Sequence, residues 1–333
     1  MIDLSTRYLG LNLPHPFMPG ASPLARNMDL VRRLEDAGAA AIVMYSLFEE
    51  QLLGEQRASE HFVEMPSDSF AEAQTYFPSY PELTLGPEEY LEQLRKVKEA
   101  VSVPVIASLN GTTAGGWLEY SRQIAEAGAD AIELNVFRVA SNPDETSEVL
   151  EEQILAMVRV IVKEVSLPLA VKLSHFYTAL ANFARRLDQA GSAGIILFNR
   201  FYQPDIDPEE LEVIPTLQLS SSSELLLRVH WLAVLSGRIE ASLAVTGGVH
   251  TAVDAIKAIM AGAHAVQLVS ALLTSGPEHL RVVREGVVRW MEEKEYASLE
   301  QMRGNMNLLR CPDPRAFERL NYARILHSWK GFL

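Results

Sequence analysis

The chain is predicted to fold as a (β/α)8 barrel, and three observations carry that expectation. A helix end, an Ala-Gly-Ala/Ser joint and a short apolar strand recur four times, at Arg33–Ser46, Arg122–Val136, Arg186–Asn199 and Ala258–Ser270. A second kind of joint leads into the apolar runs at 104–109 and 168–173, each opening on a proline (Pro104, Pro168), where a helix cannot continue and a parallel strand can begin. Eight apolar runs alternate with amphipathic stretches along the whole length. Glycine suits the C′ position of a helix because it enters φ > 0 without steric cost. An uninterrupted apolar run suits a strand buried on both faces.

In order, the strands are expected at 17–21, 41–45, 104–109, 131–136, 168–173, 194–198, 242–246 and 265–269. Helical patterns fill 28–37, 87–100, 117–127, 147–165, 177–190, 223–236, 250–261 and 277–294, and a final helix is expected at 314–329. A doubly wound open sheet is the alternative, but its phosphate loop after the first strand is missing. Two connections exceed simple joints, 47–86 after strand two and 200–222 after strand six. Long loops are commonly lids or binding loops, and both follow strands, on the face where barrels carry their sites. No linker divides the chain, so residues 1–333 read as one domain with a lid at 47–86 and a C-terminal tail at 296–333.

With 333 residues, 48% of them hydrophobic and 22% charged, the composition is that of a globular protein. A net charge of −14 argues against nucleic-acid or anionic-membrane partners. Cys311 is the only cysteine, so an internal disulfide or a cysteine-held iron–sulfur cluster is excluded. No signal peptide or membrane-spanning run is visible, which fits a cytoplasmic protein.

The strand ends hold the candidate chemistry. Lys172 lies within the apolar run Leu169–Leu173, and a lysine there needs an anionic or electron-rich partner, a Schiff-base role, or an ion pair with Glu133. Thr246-Gly247-Gly248 precedes a helix start, an arrangement that lets a phosphate approach the backbone, with Ser270 after strand eight as partner donor. Asn110, Asn135 and Asn199 end strands three, four and six, and amides suit the edges of a heterocycle. Ala21, Ser22, Tyr45, Ser46, Arg138, His175 and Arg200 complete the set. His175 is a candidate acid or base, and Arg138 and Arg200 suit a carboxylate. The eight histidines are scattered without ligand spacing, so no metal site is expected.

Five segments, 15–22, 131–136, 169–173, 196–199 and 244–273, resemble the dihydroorotate dehydrogenase family. The resemblance implies an FMN-dependent barrel oxidoreductase acting on CH–CH groups in pyrimidine biosynthesis, with a small-molecule substrate. It leaves room for a redox partner protein and a homodimer. It places Ala21, Ser22, Ser46, Asn110, Asn135, Lys172, Asn199, Gly247, Gly248 and Ser270 at the cofactor. Catalysis is expected to fall on Lys172, Asn135, Asn199, Arg138 and His175. Two departures stand out. Tyr45 takes the place of the family's lysine after strand two, and Arg138 falls where the family carries its proton-abstracting base. The 47–86 segment also lacks the family's orotate-gripping asparagines. A Schiff-base aldolase using Lys172 and a non-catalytic electron-transfer flavoprotein subunit are the competing readings.

Overall fold

The computed structural model describes residues 2–49, 86–111, 114–200, 205–214 and 217–328. Eight parallel strands form one sheet: β1 (Phe17–Pro19), β2 (Ile42–Phe48), β3 (Val105–Asn110), β4 (Ala131–Asn135), β5 (Leu169–Leu173), β6 (Gly194–Leu197), β7 (Ser242–Thr246) and β8 (Ala265–Leu268). From β2 to β8 each pairs with the next in chain order, and β1 pairs with β8, Val266 opposite Phe17. Ala40 N–H donates to Phe17 O at 2.9 Å, drawing the chain entering β2 against β1 so that the barrel is nearly closed.

The helices α1 (Met28–Asp36), α2 (Pro87–Ala100), α3 (Ala114–Glu126), α4 (Ser147–Glu164), α5 (Leu180–Gln189), α6 (Leu225–Leu235), α7 (Ala252–Ala261) and α8 (His279–Glu293) surround it. The four repeated joints behave as the sequence predicts. Gly38, Gly128, Gly191 and Gly262 have φ of 85°, 90°, 97° and 128°, the left-handed turn that redirects a helix into a strand.

Two apolar layers result. The outer one packs strands against helices, with Leu34, Leu94, Trp117, Leu155, Phe183 and Val283 fully buried. The inner one fills the barrel. Its strand side chains are small (Ala131, Ala170, Ala244, Ala265) because an N-terminal hairpin, Thr6–Tyr8 paired with Leu11–Leu13, inserts Tyr8, Leu9 and Leu13 among them. A Cβ on Gly194 would meet the Leu9 side chain, so this plug fixes that glycine. The plug closes the N-terminal mouth and leaves the C-terminal mouth for a ligand.

The sequence reading did not foresee this hairpin, nor a second one (Asp205–Asp207 with Glu212–Ile214) within the connection after β6, nor the short helix Ser270–Ser275 after β8. The expected lid falls largely on residues 50–85, outside the described residues. Among the described residues no helix is long and apolar enough to cross a membrane, and no group of three His, Cys, Asp or Glu converges.

Candidate active site

A cavity of about 290 Å³ opens at the C-terminal mouth. Strand ends supply most of its wall: Ser46 from β2, Asn110 from β3, Asn135 from β4, Lys172 from β5, Thr246 and Gly247 from β7 and its turn. Ala21, Asn199, Arg200 and Ser270 come from the loops just beyond strands. Of the ten residues expected at a cofactor, Ala21, Ser46, Asn110, Asn135, Lys172, Asn199, Gly247 and Ser270 thus meet on one surface. Ser22 is buried just outside it, at the start of the turn Pro23–Arg26. Gly248 lies behind Gly247, its N–H donating to Ser220 Oγ at 3.2 Å.

Strand alternation places Glu133 and Asn135 on the same inward face, one pleat apart. Lys172 Nζ donates to Glu133 Oε1 at 3.1 Å, and Gln267 Nε2 from β8 donates to Glu133 Oε2 at 2.8 Å. Glu133 is 0% exposed and Lys172 6%. The lysine is therefore both things the sequence allowed, an ion-pair partner and a cavity wall. Asn135 Oδ1 and Gln267 Oε1 are buried without a partner among the described residues. Buried polar atoms are nearly always bonded, so an orphaned Asn135 amide oxygen on a cavity residue marks a place for a ligand donor.

The phosphate-like corner is built by β7, β8 and a serine run. Gly247 and Gly248 hold φ of 80° and 81°. A Cβ on Gly248 would sit 2.6 Å from Leu225 N, and one on Gly247 2.8 Å from Arg228 Nη2, so neither position accepts another residue without displacement. Ser220 N–H donates to Ser270 Oγ at 3.0 Å, bringing two hydroxyls to the turn. Thr251 and Asp254 form a capping box at the start of α7 and fix where the turn ends.

Of the other expected residues, Arg200 lines the cavity, and Tyr45, Arg138 and His175 are not among its lining residues. Tyr45 belongs to the outer layer, edge-on to Tyr90 at 5.2 Å, with the Arg26 guanidinium 4.7 Å over its ring. A bulge in β2 between Val43 and Ser46 accompanies this change of direction. Tyr90 OH accepts from Ser108 N–H at 2.8 Å at that same place. Burial raises the Tyr45 phenol above its ordinary pKa. Arg138 faces a separate groove of about 560 Å³ between the β4 and β5 loops. There it donates to Glu145 at 2.7 Å and Gln153 at 2.9 Å. Arg200 donates twice to Glu224, at 3.2 and 3.0 Å. His175 stacks on Phe176 with ring centroids 4.1 Å apart and lies 6.2 Å from Phe198. Burial, and then the Arg228 charge, lower its pKa.

The sequence reading missed Phe48, Phe137 and Phe198, which give the cavity its apolar wall, and Ser220 and Arg228 at the phosphate-like corner. Arg228 had a signal: it is the sole Asp, Glu, Lys or Arg in the apolar helix α6. The phenylalanines had none, since they stand in apolar context.

The sequence model of the family described as "Dihydroorotate dehydrogenase" matches residues 3–291. A dihydroorotate dehydrogenase B (NAD(+)) catalytic subunit of Thermoplasma acidophilum is 26% identical over 91% of the chain and 99% of its own length. Its counterpart in Thermoplasma volcanium is 28% identical over 91% and 98%. The NAD-dependent dihydropyrimidine dehydrogenase subunit PreA of Escherichia coli is 24% identical over 93% of the chain and 79% of its own length.

Proposed function

The chain belongs to the dihydroorotate dehydrogenase family, and from that premise we propose that it oxidises or reduces a carbon–carbon bond in a small amide-bearing ring, with no carboxylate required for binding. It is an FMN-dependent oxidoreductase of this family. The residues present fit FMN: an orphaned amide oxygen on Asn135, two left-handed glycines with no room for a Cβ, and a buried lysine on one wall. Bound FMN supplies the two-electron redox chemistry.

In this reading Gly247, Gly248, Ser220 and Ser270 hold the phosphate. Asn110, Asn135 and Lys172 take the polar edge of the ring, and Ala21 and Ser46 border it. The Lys172 ammonium offsets negative charge gathered at that edge. Asn199 orients the substrate amide. Phe48, Phe137 and Phe198 keep water from the reacting face. The single observation that carries the assignment is Lys172, anchored from below by Glu133 and bordering the cavity with the unpartnered Asn135 oxygen. The same ion pair counts against an aldolase, because a Schiff base needs a free amine lone pair.

The lack of a carboxylate requirement rests on the arginines. Arg138 binds Glu145 in the separate groove, and Arg200 binds Glu224. Neither offers an undivided fork to a substrate carboxylate. His175, whose ring lies 6.2 Å from that of the cavity residue Phe198, is the candidate for proton transfer, and burial and then the Arg228 charge lower its pKa. Since one cysteine holds no iron–sulfur cluster, electrons pass onward to a separate acceptor, and relatives named as subunits favour a redox partner protein in that role. Anaerobic mixing of the flavoprotein with dihydrouracil and with dihydroorotate tests the substrate class. Dihydrouracil is expected to bleach the flavin at least ~10-fold faster, the worth of about 1.4 kcal/mol in the barrier. Faster bleaching by dihydroorotate overturns the proposal.

A further inference from the structure

Arg228 is a buried cation that the reading above does not use. It sits in the first turn of α6, 5% exposed. Its guanidinium is held by main chain alone: Nε donates to Thr246 O at 2.5 Å and Nη1 to Glu224 O at 2.7 Å. Nη2 has no partner among the described residues. Among the described residues no carboxylate hydrogen-bonds it, and the Glu224 side chain is bonded by both Nε and Nη2 of Arg200. The next carboxylate along, Asp254, accepts from Ser222, His250 and Thr251 through Oδ2 at the start of α7. The Arg228 guanidinium is thus bonded to carbonyls, while the Glu224 carboxylate that favours its charge is itself bonded to Arg200.

That guanidinium lies against Gly247. A Cβ added there would stand 2.8 Å from Nη2, 3.2 Å from Cζ and 3.2 Å from Nε, so the guanidinium faces this glycine from behind. Gly247 itself lines the cavity with Ser220 and Ser270. An anion bound on the open side of Gly247 would give this buried charge a partner that its main-chain bonds do not supply.

We propose that Arg228 is the charge partner of the flavin phosphate, the residue that makes the Gly247–Gly248 corner select a phosphomonoester dianion over an uncharged ribityl end. The inference rests on the FMN assignment and predicts a property separable from it. Titrating the flavin-free full chain with FMN and with riboflavin, followed by flavin fluorescence, reads the phosphate contribution as the ratio of the two dissociation constants. The wild type is expected to prefer FMN. Arg228→Gln is expected to cut that preference ~10- to 100-fold, the worth of one buried charge acting across the glycine turn, and to leave riboflavin affinity unchanged. Arg228→Lys is expected to fall between. A folded Arg228→Gln variant with the wild-type ratio overturns the inference while leaving the FMN assignment intact. A wild-type chain that binds neither flavin overturns both. If Arg228→Gln does not fold, the phosphorus resonance of FMN bound to the wild type decides. It is expected to stay at the dianion position down to about pH 5, below the ordinary second phosphate pKa of about 6. Titration near pH 6 overturns the inference.

Discussion

Glu133→Ala is the sharpest perturbation of the barrel interior. It removes the carboxylate that Lys172 and Gln267 both bond, at 3.1 and 2.8 Å, in a place with no exposure to water. Lys172 is left as a buried cation without its counter-ion, and the Gln267 amide without its acceptor. Breaking a buried pair in this way costs about 3–5 kcal/mol, mostly the penalty of the charge left behind. For 333 residues the unfolding entropy is on the order of 0.7 kcal/mol per degree, so the melting temperature should fall by about 4–7 °C. The assay is thermal denaturation of the flavin-free protein, because ligand binding to the native state masks such losses by mass action. Replacing both partners, as Glu133→Leu with Lys172→Met, should recover much of the loss, since an apolar pair of similar volume leaves no buried charge and only the Gln267 amide lacks its acceptor. Glu133→Ala within about 1 °C of wild type, or a double variant showing the plain addition of both single losses, would refute the argument that the pair is a unit.

Three further outcomes follow from the geometry. Gly248→Ala should abolish flavin retention and lower the melting temperature, because its Cβ would press within 2.6 Å of Leu225 N at a φ of 81°; a stable yellow variant contradicts this. Arg138→Ala should change turnover less than about threefold, within the ~1 kcal/mol typical of an exposed ion pair, as steady-state kinetics will show; a loss of a hundredfold would return Arg138 to the reacting face. Acid should destabilise the fold through His15 and His264, whose pKa values are each lowered to about 4, chiefly by burial and then by Arg284 and Arg303 respectively. Because both folded values lie below the ordinary 6.5, the unfolded chain binds the extra protons. Stability is therefore full above about pH 6.5 and falls as pH drops toward 4, by at most about 3 kcal/mol for each histidine. A melting temperature flat from pH 7 to 4.5 would contradict this.

The strand and helix framework was legible because each joint carries local chemistry. The Ala-Gly-Ala/Ser turns and the Pro-led strands locate six of the eight strands within a few residues, the apolar runs at 17–21 and 242–246 supply the other two, and with them comes the inward wall of Asn135, Lys172 and Gly247. What escaped has long-range causes. The N-terminal plug is visible only through the barrel that its side chains fill, and the small interior residues Ala131, Ala170, Ala244 and Ala265 read locally as ordinary strand. Tyr45 looked like a strand-end residue facing the cavity, but the β2 bulge accompanies a turn of its ring to α2. Arg138 stands three residues past Asn135, yet Glu145 and Gln153 pull it into another groove, an outcome fixed by partners 7 and 15 residues away. Ser220 reaches the Gly248 turn across 28 residues, a distance no local pattern encodes.

The visible spectrum of the purified full-length protein, with identification of any released chromophore, tests the central claim most directly. The account predicts a yellow protein that releases FMN, about one per chain, and that bleaches anaerobically with a small cyclic amide substrate. A colourless protein that takes up no added FMN would contradict it.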